Sequence, residues 1–179
     1  STESSAATVS DDTERVYLSS SSGKFSGTLR NETVSGSVGL VDGTWGKVEL
    51  STVSGTIELA GEAENVEIET TSGKVDIAGA LGALDFESVS GDLILATERA
   101  LRLDAETESG SIYLTLPAQD GFTLDYETKS GAFRSALTER EGTLITCLDD
   151  HATHYSVPAL EGGEMSELEL STVSGTLTI

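Results

Sequence analysis

The sequence has little of what staples, spans or catalyses. Its one cysteine, Cys147, rules out an intramolecular disulfide. Aromatic residues make up only 5% of the 179 and apolar residues 37%, so a thick core of large side chains is excluded. Lys and Arg number ten against 31 Asp and Glu, a formal net charge of −21. A nucleic-acid binder needs basic patches to neutralise phosphates, and this chain has none. The same charge repels an anionic membrane surface and favours solubility and cationic partners. No apolar run nears the ~20 residues of a membrane-spanning helix. No stretch shows clear helical periodicity, so almost no helix is expected. No signal-peptide pattern is read within this stretch of sequence. The chain opens on STESSAATVSDD, polar and without an initiating Met. Residues 1–12 read as a flexible linker left after removal of an N-terminal export or anchor segment. That implies an extracellular or cell-envelope setting, with a membrane reached only through the missing segment.

What is present is a repeat. KVELSTVSGTIEL, NVEIETTSGKVDI and ALDFESVSGDLIL follow one another, with Gly55, Gly73 and Gly91 spaced 18 residues apart. Ser-Gly pairs at Gly23, Gly36, Gly110, Gly131 and Gly175 extend the template to eight rows. Seven residues before the glycine stand Val16, Leu29, Val48, Val66, Leu84, Leu103, Leu124 and Leu168. Five before it stand Leu18, Asn31, Leu50, Ile68, Phe86, Ala105, Tyr126 and Leu170. Three before it is always Ser or Thr, and two after it is always apolar. Charges such as Glu49, Glu67, Asp85 and Arg102 sit between. Alternation with period two makes each half-row a strand with one buried face. The parity slips by one residue across Ser-Gly, where glycine allows a bend or bulge.

One such row cannot bury its apolar face, but stacked rows can. The expected fold is all-β, a single-stranded parallel β-helix (β-solenoid) of about 18–19 residues per coil. It is expected to be right-handed, as parallel crossovers almost always are. The solenoid domain would span residues 13–179. Its first rows are irregular, because Gly23 and Gly36 lie 13 apart and Ser26-Gly27 offers a competing register. Pro117 is expected at a strand end, where its missing N–H is tolerated. Gly131 and Gly175 lie 44 apart, the length of two rows, so an irregular insertion is expected near 137–165. It would hide a row lacking Ser-Gly, built from Leu144-Ile145-Thr146-Cys147 and Tyr155-Ser156-Val157.

Candidate chemistry is sparse. Parallel β-helices include polysaccharide lyases and hydrolases, which cluster acids and bases on one outward face. Here carboxylates are spread along the chain, so no catalytic residue is assigned and no enzyme is expected. Cys147, Asp149, Asp150, His151 and His154 offer metal donors within eight residues, but their spacing fits no zinc motif. They read as a polar turn, so no metal or cofactor is assigned. The Ca²⁺-binding nonapeptide of toxin solenoids is absent. Asn31-Glu32-Thr33 fits a glycosylation sequon, yet Thr33 belongs to the repeat. An outward Thr52, Thr70, Thr107 and Thr172 would form a flat hydroxyl array like that of ice-binding solenoids. Their shared parity with Leu50, Ile68 and Leu170 places them inside instead.

In the units TVSGSVGL, TVSGTIEL, SVSGDLIL and TVSGTLTI, the chain resembles a bacterial domain family of unknown function, the adhesin-like DUF4097 family. LPAQDGFTLDYETKSGAF and GGEMSELELSTVSGTLTI resemble that family's late coil and ending. The likeness covers nearly everything after residue 13, and the Cys/His-bearing stretch departs from it. The resemblance implies a β-solenoid beside an N-terminal membrane segment, at a cell surface, with no catalytic residues to carry over. The expected function is therefore a non-enzymatic surface adhesin or interaction module, binding an unknown protein or surface glycan through its charged faces. The alternatives are an envelope-stress sensing or accessory domain, and a module that assembles end to end through exposed strand edges.

Overall fold

In the computed structural model, residues 7–10, 15–19, 24–33, 37–134, 142–147 and 151–179 are described. Alternation of apolar and charged residues yields strands throughout and no helix among these residues. The strands form one curled, mixed sheet. Each coil contributes one run before its Ser-Gly corner and one after it. In β4 (Ser37–Thr52), β5 (Ile57–Thr70) and β6 (Val75–Ser88), the run after one corner continues unbroken into the run before the next. Later coils break at that point. They give β7 (Leu93–Thr97), β8 (Arg102–Thr107), β9 (Ile112–Thr115), β10 (Gly121–Thr128) and β11 (Ala132–Arg134). Pro117 follows the end of β9, at a strand end as expected.

The interior is built from columns. Val48, Val66, Leu84 and Leu103 stand in register, as do Leu50, Ile68, Phe86 and Ala105, and none is more than 3% exposed. The runs after the corner add Ile57, Val75, Leu93 and Ile112. Phe86 lies beside Ala105, so a large side chain abuts the smallest of its column.

The T-x-S-G motif is a three-part corner. The Thr or Ser oxygen accepts a hydrogen bond from the glycine N–H three residues on, as in Thr52–Gly55 at 2.9 Å, Thr70–Gly73 at 2.9 Å and Thr107–Gly110 at 3.0 Å. Thr52, Thr70, Thr107 and Thr172 are buried, so the hydroxyls point inward and each closes its own corner. The serine hydroxyl stitches adjacent coils: Ser72 Oγ donates to the Val53 carbonyl at 3.2 Å and Ser90 Oγ to the Thr71 carbonyl at 3.1 Å. The glycine is needed for close approach, not for an unusual dihedral. A Cβ on Gly91 would overlap the Gly73 carbonyl oxygen of the adjoining coil, and no Ser-Gly glycine in the described residues has positive φ. At the opposite corner Gly79 has φ 144°, where an L side chain is strained. There Arg99 donates from Nε to the Leu81 carbonyl at 3.0 Å and from Nη2 to the Ala63 carbonyl at 3.3 Å.

Four expectations are corrected. First, the sheet is not a simple parallel helix. β12 (Leu144–Cys147) and β13 (Ala152–Val157) pair antiparallel with each other, and β13 pairs antiparallel with β10. The supposed hidden row is thus a hairpin. Without a Ser-Gly corner it cannot wind as a coil, and it caps the open end of β10. Val157 and Tyr155 face inward there, and the Tyr155 ring lies 4.8 Å from that of Phe133, itself 5.9 Å from Tyr126.

Second, the last row does not stack last. β14 (Met165–Thr172) lies between β8 and β10, and β15 (Thr176–Thr178) lies between β9 and β11. Third, Ala7–Ser10 form strand β1, parallel to β3 (Lys24–Thr33), within the stretch read as linker. Fourth, the row assigned to Gly23 is displaced. Val16 and Leu18, in β2 (Arg15–Ser19), pair with Val38 and Leu40, which follow a corner rather than precede one. Ser26-Gly27 mark a break in register between Phe25 and Thr28. A serine run mimics the motif in this region, which explains the misreading.

Candidate functional site: a carboxylate face

On the runs before the corner, the residues between core positions point outward, and the register stacks them into columns. One column is Glu49, Glu67, Asp85, Asp104, Glu169 and Asp125. Two residues along each strand runs a second: Ser51, Glu69, Glu87, Glu106, Ser171 and Glu127. Neighbours in a column are about 4.8 Å apart, and the two columns about 6.6 Å apart. From β4 to β10 the two columns carry ten carboxylates, and in β3 the register places Arg30 beside Glu49 and Glu32 beside Ser51. Cations near this stretch include Lys47, whose Nζ lies 2.6 Å from Glu49 and 3.1 Å from Glu67, and Arg102 in the adjoining column.

Partial burial and then crowding of like charge shift the acids of the face in the same direction. Partial burial raises the Asp85 carboxyl above its ordinary range, and Asp104 and Glu67 push it further. Glu87 is raised by partial burial and then by Asp85, Glu69, Glu106 and Asp104. Lys47 is raised by its hydrogen bonds to Glu49 and Glu67.

Two open grooves lie along the columns. One, of 520 Å³, runs between Glu69, Glu87 and Glu106 and an exposed ridge that includes Val53, Val89 and Val173. These valines are 41–48% exposed. The other, of 340 Å³, is lined by Lys47, Asn65, Asp85, Arg102 and Asp104. The outer surface of the runs after the corner differs. It carries Glu58 and Asp76, then Ile94 and the exposed Tyr113, and Lys74 pairs with Asp76 at 3.2 Å.

Of the five donors weighed in the sequence, only some lie among the described residues. Asp149 and Asp150 lie outside the described residues. Cys147 closes β12, while His151 is exposed and its carbonyl accepts from the Thr128 N–H at 2.7 Å. His154 Nδ1 lies 2.7 Å from Asp125 Oδ1, at the end of the first carboxylate column. It joins the antiparallel cap to the acidic face. Among the described residues, no group of three or more His, Cys, Asp and Glu could hold a metal ion. No described helix is long and apolar enough to cross a membrane. The carboxylate columns were missed because each acid, read alone, is an ordinary solvated strand residue. The constant offset from the glycine was the signal that would have stacked them.

No curated protein matches the chain. Among solved structures it is similar to one described as "a putative cell adhesion protein from Clostridium sporogenes", at 13% identity and a TM-score of 0.36. The likeness covers 76% of this chain and 55% of that one, so this chain spans about half of that protein's length. At the level of families, the Toastrack DUF4097 model matches residues 7–179, the span that holds every strand described above, and the chain belongs to the DUF4097 family.

Proposed function

We propose that the protein is a non-enzymatic interaction module, displayed at a cell surface, which binds a basic segment of a partner protein on its carboxylate face. The observation that carries this reading is the stacking of ten carboxylates in two columns on one face of the sheet. Glu67, Asp85, Glu87 and Glu169 are all exposed there. A lysine or arginine of the partner would set its charged head against the Glu69–Glu87–Glu106 column. Its methylene stem would lie on the valine ridge across the groove, the usual division of such side chains. Repulsion among the carboxylates is relieved by an arriving cation, so binding is favoured where the face is most crowded. An anionic glycan is repelled by the same field.

The test is calorimetric titration with an oligolysine peptide at low and high ionic strength. Binding should weaken with salt as the interaction is screened. It should be lost in the Asp85→Asn, Glu87→Gln, Glu106→Gln variant and kept in Glu58→Gln, Asp76→Asn, which alters the other face. Equal binding by both variants refutes the proposed face. Antibody labelling of intact cells tests the surface placement.

A further inference from the structure

The coil β14–β15 lies between two coils that precede it in the chain, β8–β9 and β10–β11, which are joined directly through residues 116–120. We propose that this inserted coil exchanges between molecules, and that the slot it fills is a binding site for the same coil of a second copy of the chain. The walls of the slot match one another. Leu168 is in register with Leu103 on one side and Leu124 on the other, and Thr172 with Thr107 and Thr128. When the coil leaves, β8 and β10 can close in that same register and restore the parallel ladder. Release therefore does not require the rest of the sheet to unfold.

Most bonds holding the coil are those the repeat makes everywhere. Ser174 Oγ donates to the Glu108 carbonyl at 3.3 Å, and Ser130 Oγ donates to the Val173 carbonyl at 3.2 Å. Particular to this slot is the bond from the Leu101 N–H to the buried Ser166 Oγ at 3.1 Å. A second copy's coil brings every one of these groups. The tether is residues 158–164, which arch over the start of β10. A Cβ on Gly121 would overlap the Ala159 nitrogen and the Val157 carbonyl there. The tether is exposed at Leu160 and Glu161 and has Gly162 at φ 82°. Straightened, its seven residues reach roughly 23 Å. A released coil exposes Leu168, Leu170 and Leu177, each at most 3% exposed when docked. Reciprocal exchange buries them again and remakes the coil's contacts, the economy of a domain-swapped dimer, while the straightened tether gives up bonds such as those from the Leu160 N–H to the Gln119 carbonyl and from the Glu164 N–H to Asp120 Oδ1.

The test uses the full chain with Cys147→Ser, carrying either Asp104→Cys on the slot wall or Glu169→Cys on the coil. These positions are outward register partners on adjacent strands. The two variants are mixed at high concentration under native conditions and treated with a short bis-maleimide after increasing times. The expected result is a covalent heterodimer that grows with incubation, several-fold above that of an Asp104→Cys and Glu58→Cys mixture, whose sites lie on opposite outer surfaces. The pair Glu106→Cys and Ser171→Cys repeats the measurement one column over and decides it should the first pair disturb folding. A yield no higher than the control, or a heterodimer formed only after the mixture is unfolded and refolded, overturns the proposal.

Discussion

Ile68 is the position at which the column packing can be weighed. It is 1% exposed, in register between Leu50 on one coil and Phe86 on the next, both at most 2% exposed. Ile68→Ala deletes three carbons. At about 0.8 kcal/mol per buried methylene, the transfer loss alone is about 2.4 kcal/mol. A cavity term is added because parallel ladders on both sides fix the coil spacing and keep Leu50 and Phe86 from closing the gap. The total falls at about 3–4 kcal/mol, inside the usual range for such truncations. Glu67, one residue earlier, points outward into the carboxylate column. Glu67→Ala loses an exposed ion pair with Lys47 and relieves repulsion from Asp85, so its net effect is within about 0.5 kcal/mol. Urea denaturation of both variants is the assay, read as a shift in midpoint at unchanged slope. If Glu67→Ala were the more damaging, the register of β5 would be off by one residue and the inside and outside of the sheet exchanged.

Two further perturbations probe the corner and the face. Thr70→Val keeps the shape of the side chain but leaves the buried Gly73 N–H without its 2.9 Å acceptor. It should cost about 1–3 kcal/mol in a denaturant melt, while Thr70→Ser, which keeps the oxygen, should cost clearly less. Equal losses would show that the hydroxyl has no part in closing the corner. For pH, Asp85 and Glu87 have folded-state pKa values above their unfolded ones, so the folded protein holds more protons there. Their contribution to stability is full below the unfolded carboxylate range and is lost as pH rises through the raised folded values. At low salt the urea midpoint should therefore be higher near about pH 5 than at neutrality, and Asp85→Asn, Glu87→Gln should flatten the difference. A midpoint that rises with pH over that window contradicts the assignment.

The legible part of this fold was what repeats. The fixed distance from glycine to Val66, Ile68 and Thr70 placed those residues on one face and set the register from Val48 to Ile112. The order of the coils was not legible, and the reason is the same repetition. A column that accepts Leu103, Leu168 and Leu124 interchangeably holds no information about which row lies beside which. The antiparallel cap was hidden because the alternation in Ala152–Val157 marks a strand but not its direction. The first row was misread because a serine run imitates the corner motif. At the candidate site every acid was visible, and the same offset aligns Glu49, Glu67, Asp85 and Asp104; that Glu169 and Asp125 continue the column was hidden with the order of the coils.

Under the proposed function, the carboxylate columns are where a cationic partner docks. The most direct measurement is amide chemical-shift mapping of the full chain during titration with oligolysine. The expected shifts are concentrated on β5, β6, β8 and β14, around Glu67, Asp85, Glu87, Asp104 and Glu106, and vanish at high salt. Shifts centred on Ile94 and Tyr113, on the opposite outer surface, or spread evenly over both, would contradict it.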